Sequence, residues 1–210
     1  MIKHFCATNL TYERNEQVIF SNINLTLRHG EMLQIQGANG AGKTTLMRIL
    51  AGLIPATSGQ ITWSGKSLAD DCKAFYTNLI YIGHNPGIKL GLTVKENLLL
   101  MLAFALMKKN EEHLDKAINS VNLMGLKDVY AQHLSAGQQR RVALAKLFLL
   151  AKPLWLLDEP FAALDQEGII MMHELMANHL RQNGMIVVTS HQPLRMQQDL
   201  SVHHLSLDHE

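Results

Sequence analysis

At 210 residues, 47% hydrophobic and 18% charged, the chain is long enough for one substantial α/β domain and too short for two nucleotide-binding units. A formal net charge of +1 with scattered basic residues leaves no electrostatic footprint for nucleic acid. Cys6 and Cys72 make no metal spacing, the first fourteen residues hold no apolar signal-peptide core, and the longest apolar run, 98–107, cannot span a bilayer. These features predict reduced cytosolic thiols and a chain that meets a membrane only through a partner.

In chain order, Phe5 and Ala7, then Ile23, Leu25 and Leu27, read as strands on either side of the polar turn 13–17. A second turn, 28–31, leads into the apolar run 32–35, which predicts a buried strand. Residues 37–45 then read Gly-Ala-Asn-Gly-Ala-Gly-Lys-Thr-Thr, and Gly37, Gly42, Lys43 and Thr44 fit G-x-x-x-x-G-K-[ST]. Leu46, Met47, Ile49, Leu50 and Leu53 follow at helical spacing. Strand, glycine loop and helix together aim backbone N–H groups and a helix N-terminus at one anion, and glycines let the backbone approach phosphate oxygens. Gly37, Asn39, Gly40, Gly42, Lys43, Thr44 and Thr45 are the candidate nucleotide ligands, with Lys43 on the β- and γ-phosphates and the Thr44 hydroxyl on Mg²⁺.

Further along, Ile61 and Trp63 alternate within 59–65, and 79–82 is a short apolar strand. From 94 to 123 the chain is rich in helix formers and broken near Asn110, which predicts a helical insertion in a mixed α/β core. The runs 154–157 and 185–189 read as central parallel strands, with 167–182 a covering helix. Asp158 and Glu159 follow the strand 154–157, at the mouth of a parallel sheet where ligands bind. Beside a phosphate loop, Asp158 is the candidate Mg²⁺ ligand and Glu159 the candidate base for the attacking water. Acids also follow strands simply because the chain is turning into solvent, and the phosphate loop decides between the two readings.

Residues 134–141 read Leu-Ser-Ala-Gly-Gln-Gln-Arg-Arg. Ser135 and Gln138 form S-x-x-Q, a capping box opening a helix that runs to about Leu150. The segment also resembles the signature motif of ATP-binding cassette (ABC) ATPases, usually Leu-Ser-Gly-Gly-Gln, with Ala136 replacing one glycine. The resemblance covers nearly the whole chain and implies an α/β fold, a P-loop NTPase of the ABC type. Its mixed sheet core would carry an antiparallel β part and a helical subdomain. It also implies one domain over 1–210, with the core at about 1–83 and 142–210 and the helical subdomain at about 84–141. By the same likeness Tyr12 would stack on adenine, and Ser135, Gly137 and Gln138 would meet the γ-phosphate of a second subunit. Asp165, in Phe161-Ala162-Ala163-Leu164-Asp165, would touch that partner, and His191 would be the switch histidine on the γ-phosphate. The family's Mg²⁺-sensing glutamine is replaced, because its position falls on His84 with Asn85 beside it.

Residues 83–89, 134–145 and 189–194 resemble in particular the ATP-binding subunits of bacterial haem exporters of cytochrome c maturation. That resemblance implies a homodimer with ATP and Mg²⁺ at its interface, docked on an integral membrane permease and other cytochrome c maturation proteins. It places the chain peripherally on the cytoplasmic face of the inner membrane, driving haem export or release of a haem-loaded chaperone. Another small ABC exporter, a soluble ABC ATPase and a P-loop small-molecule kinase remain as alternatives. The kinase leaves the Ser135 segment, Asp165 and His191 unexplained. Eleven histidines, His203, His204 and His209 among them, show no ligand spacing and read as surface residues.

Overall fold

The structure, a computed structural model, describes residues 4–106, 110–190, 194 and 199–207. It falls into two compact units. One comprises Met1–Tyr81, Lys152–Glu159 and Leu175–Glu210, the other Ile82–Ala151 and Pro160–Glu174.

In the first unit β1 (His4–Arg14) and β2 (Gln17–Arg28) form a long antiparallel hairpin turned by Asn15 and Glu16, both at positive φ. A turn at Gly30 leads into β3 (Glu31–Gln36), which is followed by α1 (Lys43–Leu50). Then come β4 (Ser58–Trp63), β5 (Lys66–Ser67), α2 (Cys72–Asn78) and β6 (Leu79–Ile82). Later segments supply β7 (Leu154–Asp158), β8 (Met185–Thr189) and β9 (Ser201–Ser206). One sheet has the order β2-β1-β4-β5 and is antiparallel. The other has the order β6-β7-β8-β3-β9, in which β7, β8, β3 and β9 run parallel.

The core of this unit follows from the two periodicities. Leu33, Ile35, Leu154, Leu156, Met185 and Val187 lie at alternate positions and so share one face of the parallel sheet. They join Leu46, Met47, Ile49 and Leu50 of α1 and Phe5, Leu10 and Leu27 of the hairpin in one buried cluster. The helix behind the glycine loop is therefore fixed by apolar burial against both sheets.

The residues between, such as Trp155, belong to the opposite face. There His179, in the last turn of the helix Gln166–Arg181, stacks on Trp155 with ring centroids 3.6 Å apart and planes 8° from parallel. A Cβ on Gly184 would stand 2.2 Å from the His179 ring, so the chain leaving this helix needs glycine there.

The second unit is helical, with α3 (Val94–Phe104), α4 (Glu111–Ser120), α5 (Ala136–Leu144) and α6 (Lys146–Leu149). Buried Leu98, Leu102, Leu114, Ile118, Val142, Leu147 and Leu149 give it its own core. The expected break near Asn110 is a helix start, for the Asn110 side chain accepts the His113 N–H at 3.0 Å. Asn97 is 2% exposed. Its amide donates to the carbonyls of Lys89, Leu92 and Thr93 and accepts the Lys89 N–H at 2.7 Å, so the loop before α3 is held from inside.

The sequence pattern does not mark α2, the two-residue β5 or β9. The helix expected from 136 to about 150 is instead two, α5 and α6, jointed at Ala145. The remaining helix, α7 (Gln166–Arg181), lies where the sequence puts it.

Burial at the stacked site pushes the His179 pKa down to about 4 from 6.5, against smaller opposing effects of the Pro153 and Met185 backbone. A depressed basic pKa means that the fold holds the neutral ring. The resulting stability is complete above pH 6.5 and is lost as pH falls toward 4, by at most about 3 kcal/mol. His179→Phe keeps an aromatic ring and removes the titration. Urea midpoints at pH 5 and pH 7 should therefore differ less for the variant than for the wild type, and equal differences would refute the assignment.

Candidate functional site

The C-terminal ends of three adjacent parallel strands meet in the first unit. Ile35 of β3 pairs with Thr189 of β8, and Thr189 pairs with Asp158 of β7. Beyond β3 the chain enters the glycine loop, where Gly40 and Gly42 have φ of 89° and 94°. Gly42 is the N-cap of α1, and a Cβ there would lie 2.6 Å from Cγ2 of Ile19 on β2. It must be glycine both for its left-handed backbone and for its close approach to the antiparallel sheet.

Lys43 is buried, and its ammonium donates to the carbonyls of Gly37 at 2.7 Å and Ala38 at 2.9 Å. The lysine thus braces the loop from within. Asn39, Gly40 and Thr44 are exposed, and Thr45 is half-buried in the first turn of α1. The result is an open cradle of N–H groups with a cation beneath it. Tyr12 is half-buried, its ring 6.1 Å from that of Phe20.

Asp158 is fully buried at the end of β7. The Thr189 hydroxyl donates to its Oδ1 at 2.7 Å and accepts the Glu159 N–H at 2.9 Å. Glu159 has φ of 50°, in the left-handed region unusual for a non-glycine residue. The sequence pattern marks Thr189 as a strand end and as part of the 189–194 segment, and assigns its hydroxyl no role. The available signal was its place on the strand between the glycine loop and the two acids.

Among the described residues no group of three His, Cys, Asp or Glu could hold a metal. Thr44 and Asp158 bring one hydroxyl and one carboxylate, both hard oxygens. That donor set fits Mg²⁺, which takes most of its ligands from water and phosphate.

The second unit holds the Ser135 segment. Ser135 caps α5 in the expected box, its Oγ accepting the Gln138 backbone N–H at 3.2 Å while the Gln138 side-chain Oε1 accepts the Ser135 N–H at 2.9 Å. A Cβ on Gly137 would stand 2.6 Å from the Ala163 carbonyl oxygen, so this glycine packs on a backbone of its own chain.

Two adjacent arginines on α5, Arg140 and Arg141, follow the Ser135 box. Arg140, 2% exposed, donates to the carbonyls of Gly83, His84 and Pro160 at 2.8, 3.3 and 3.3 Å. Arg141 donates to the Val121 carbonyl at 3.1 Å and to Asp165 at 2.6 Å. The Gly168 N–H, and after it Arg141, hold the Asp165 carboxyl below its usual pKa. The His84 side chain is exposed, and His191 lies outside the described residues.

The sequence profile of the ABC transporter family matches residues 20–162. This chain belongs to that family. It is 44% identical to a cytochrome c biogenesis ATP-binding export protein, CcmA, of Methylococcus capsulatus, over 92% of this chain and 94% of that one. The protein of the same name from Escherichia coli K12 is also 44% identical, with 90% of each chain covered. Among solved structures, an ATP-binding subunit of an ABC transporter superposes with a TM-score of 0.82 at 26% identity, covering 91% of this chain and 80% of that chain.

An ABC ATPase binds ATP and couples its hydrolysis to transport, and transport requires a membrane partner. Among the described residues no helix is long and apolar enough to cross a membrane. The ABC transporter fold is also what the two sheets and the helical unit present, so the likeness extends from sequence to architecture.

The packing at Gly137 is testable apart from any nucleotide. Gly137→Ala forces the Ala163 backbone to move and should cost about 1–3 kcal/mol, lowering the melting temperature by several degrees. Gly125→Ala, where nothing lies within 4 Å of the added Cβ, serves as the control. Equal melting temperatures for the two variants would dispose of the packing role.

Proposed function

We propose that this chain is the ATP-hydrolysing motor subunit of a membrane export complex in cytochrome c biogenesis. The observation that carries this reading is the 44% identity, over nine-tenths of the chain, to proteins named as ATP-binding export proteins of that process. Residues 83–89, 134–145 and 189–194 direct the proposal to haem, or to release of a haem-loaded chaperone. The whole of 1–210 is assigned to one ABC ATPase domain, in a chain that sits peripherally on the cytoplasmic face of the inner membrane.

In this reading the glycine loop 37–45 binds the phosphates and Tyr12 carries the adenine. Lys43 neutralises charge on the β- and γ-phosphates. Thr44 and Asp158 hold Mg²⁺, which when bound offsets phosphate charge. Glu159 orients and deprotonates water, and His191 faces the γ-phosphate. Ser135, Gly137 and Gln138 serve the ATP of a second copy, because one chain has one phosphate loop and one such segment. Two copies then close around two ATP molecules, with Asp165 near the partner and His84 at the coupling loop.

Gel filtration with ATP tests the arrangement. Glu159→Gln, binding ATP but hydrolysing it about 10²–10⁴-fold more slowly, should run as a dimer. Adding Ser135→Arg should leave nucleotide binding by the monomer intact and abolish the dimer, whereas adding Lys43→Ala should weaken binding itself by about 10–100-fold. Loss of monomer binding on Ser135→Arg would reduce Ser135 to a helix cap.

The membrane partner is assigned to the loop around 84–92, where Ile88 is half-buried and Leu90 exposed. Ile88→Asp should abolish co-purification with the permease from mild detergent and leave nucleotide binding unchanged, because an interface core tolerates an unpaired carboxylate badly. Unchanged co-purification would move the dock elsewhere.

A further inference from the structure

Glu159 occupies a backbone conformation that its own residue type disfavours, and the Thr189 side chain bonds to it there. A left-handed φ costs a non-glycine residue energy and persists only where neighbours over-determine it. With φ of 50°, Glu159 has its N–H fixed at 2.9 Å on the Thr189 hydroxyl. That hydroxyl owns a single proton, and it is committed to Asp158 Oδ1 at 2.7 Å. The direction of the relay is therefore set, from N–H to hydroxyl oxygen and from hydroxyl proton to carboxylate. Thr189 and Asp158 are both 0% exposed, so water does not compete for either bond. The strand places Thr189 as well as the hydroxyl, because it is the paired partner of Asp158 on one side and of Ile35 on the other.

We infer that Thr189 is a positioning residue for hydrolysis, its hydroxyl fixing the backbone from which the Glu159 carboxylate is aimed and the carboxylate rotamer of Asp158 beside it. The inference rests on the reading of Glu159 as the residue that handles the attacking water. Thr189 touches no substrate in this scheme. Without its hydroxyl the Glu159 N–H loses its bond in the left-handed region, and the carboxylate leaves its aim while the phosphate loop stays intact. A misplacement of about 1 Å at a catalytic group costs on the order of 10²-fold in rate.

The test compares Thr189→Val, which keeps shape and deletes the hydroxyl, with Thr189→Ser, which keeps the hydroxyl. Both are measured in the full chain, alone and co-purified with its membrane partner, beside Glu159→Gln. Thr189→Val should lower kcat by about 10–100-fold with KM for ATP within about threefold of wild type, and Thr189→Ser should restore kcat to within about threefold. Thr189→Val should also accumulate as the ATP-bound dimer, as Glu159→Gln does, a behaviour that loss of fold cannot produce. In the Glu159→Gln background it should add less than about threefold further loss, because both changes act on one step.

Wild-type kcat in Thr189→Val beside a slow Glu159→Gln overturns the role of Thr189 alone. Equal slowing in Thr189→Ser and Thr189→Val overturns it as well, since the hydroxyl would then be immaterial. Normal turnover in Glu159→Gln removes the underlying reading of the base and the inference with it. Should Thr189→Val bind no nucleotide, Thr189→Cys, similar in volume and a feeble hydrogen-bonding group, is judged by the same outcomes.

Discussion

A phosphate chain can be gripped by backbone N–H groups only where nothing stands between them and the oxygens, and at Gly42 that requirement meets a second one. The residue caps α1 in a left-handed conformation, and its bare Cα lies against Ile19 of the antiparallel hairpin. The same atom that opens the cradle lets the loop seat on the neighbouring sheet. From there the apolar face of α1 runs into the cluster shared by both sheets, so the N-terminus of the helix is aimed by the packing of Leu46, Met47, Ile49 and Leu50. The cradle is thus rigid because the core is. Lys43, buried and bonded to the Gly37 and Ala38 carbonyls, adds a brace that needs no ligand to be in place. This is preorganisation of the kind that lets binding energy go into the ligand and not into ordering the loop.

What could be read from the sequence was what is local. The glycine loop, the two acids after an apolar run and the S-x-x-Q box each lie within nine residues, and their spacing dictates their geometry. The structure bears this out in the Gly42 cap, the buried Asp158 and the Ser135–Gln138 pair. The elements missed have weak local signals. In α2 only Phe75 is buried, and β9 presents Ser201, His203, His204 and Ser206 to solvent, with no alternation strong enough to mark a strand. The joint at Ala145 has neither glycine nor proline to announce it.

Contacts between distant segments were beyond any pattern. The partners of Arg140 are backbone carbonyls 20 to 57 positions away, and a carbonyl has no residue type by which to be recognised. Thr189 was hidden for a related reason. Its value depends on which strand lies beside β7, and strand order is not a property of any short window.

The two adjacent arginines of α5 give the second unit its internal logic. A buried guanidinium is costly unless its donors are used, and here they are used on backbone and on the Asp165 carboxylate, with Glu167 at 3.9 Å from Arg141. Consecutive helical positions point about 100° apart, so Arg140 and Arg141 reach different neighbours. The first gathers Gly83, His84 and Pro160, the second Val121 and Asp165. One short helix, opened by Ser135, therefore fixes the backbone at Gly83 and His84. It also fixes the carboxylate at the end of the Phe161–Asp165 segment. The Arg140 bond is made to the His84 carbonyl, which every residue type possesses, so exchanging the side chain leaves the course of the loop unaltered. The loop's other anchor, Asn97, likewise binds main-chain atoms of Lys89, Leu92 and Thr93. With the backbone held at both ends by buried side chains, the exposed position 84 is free to vary in chemistry while the segment around it keeps its shape.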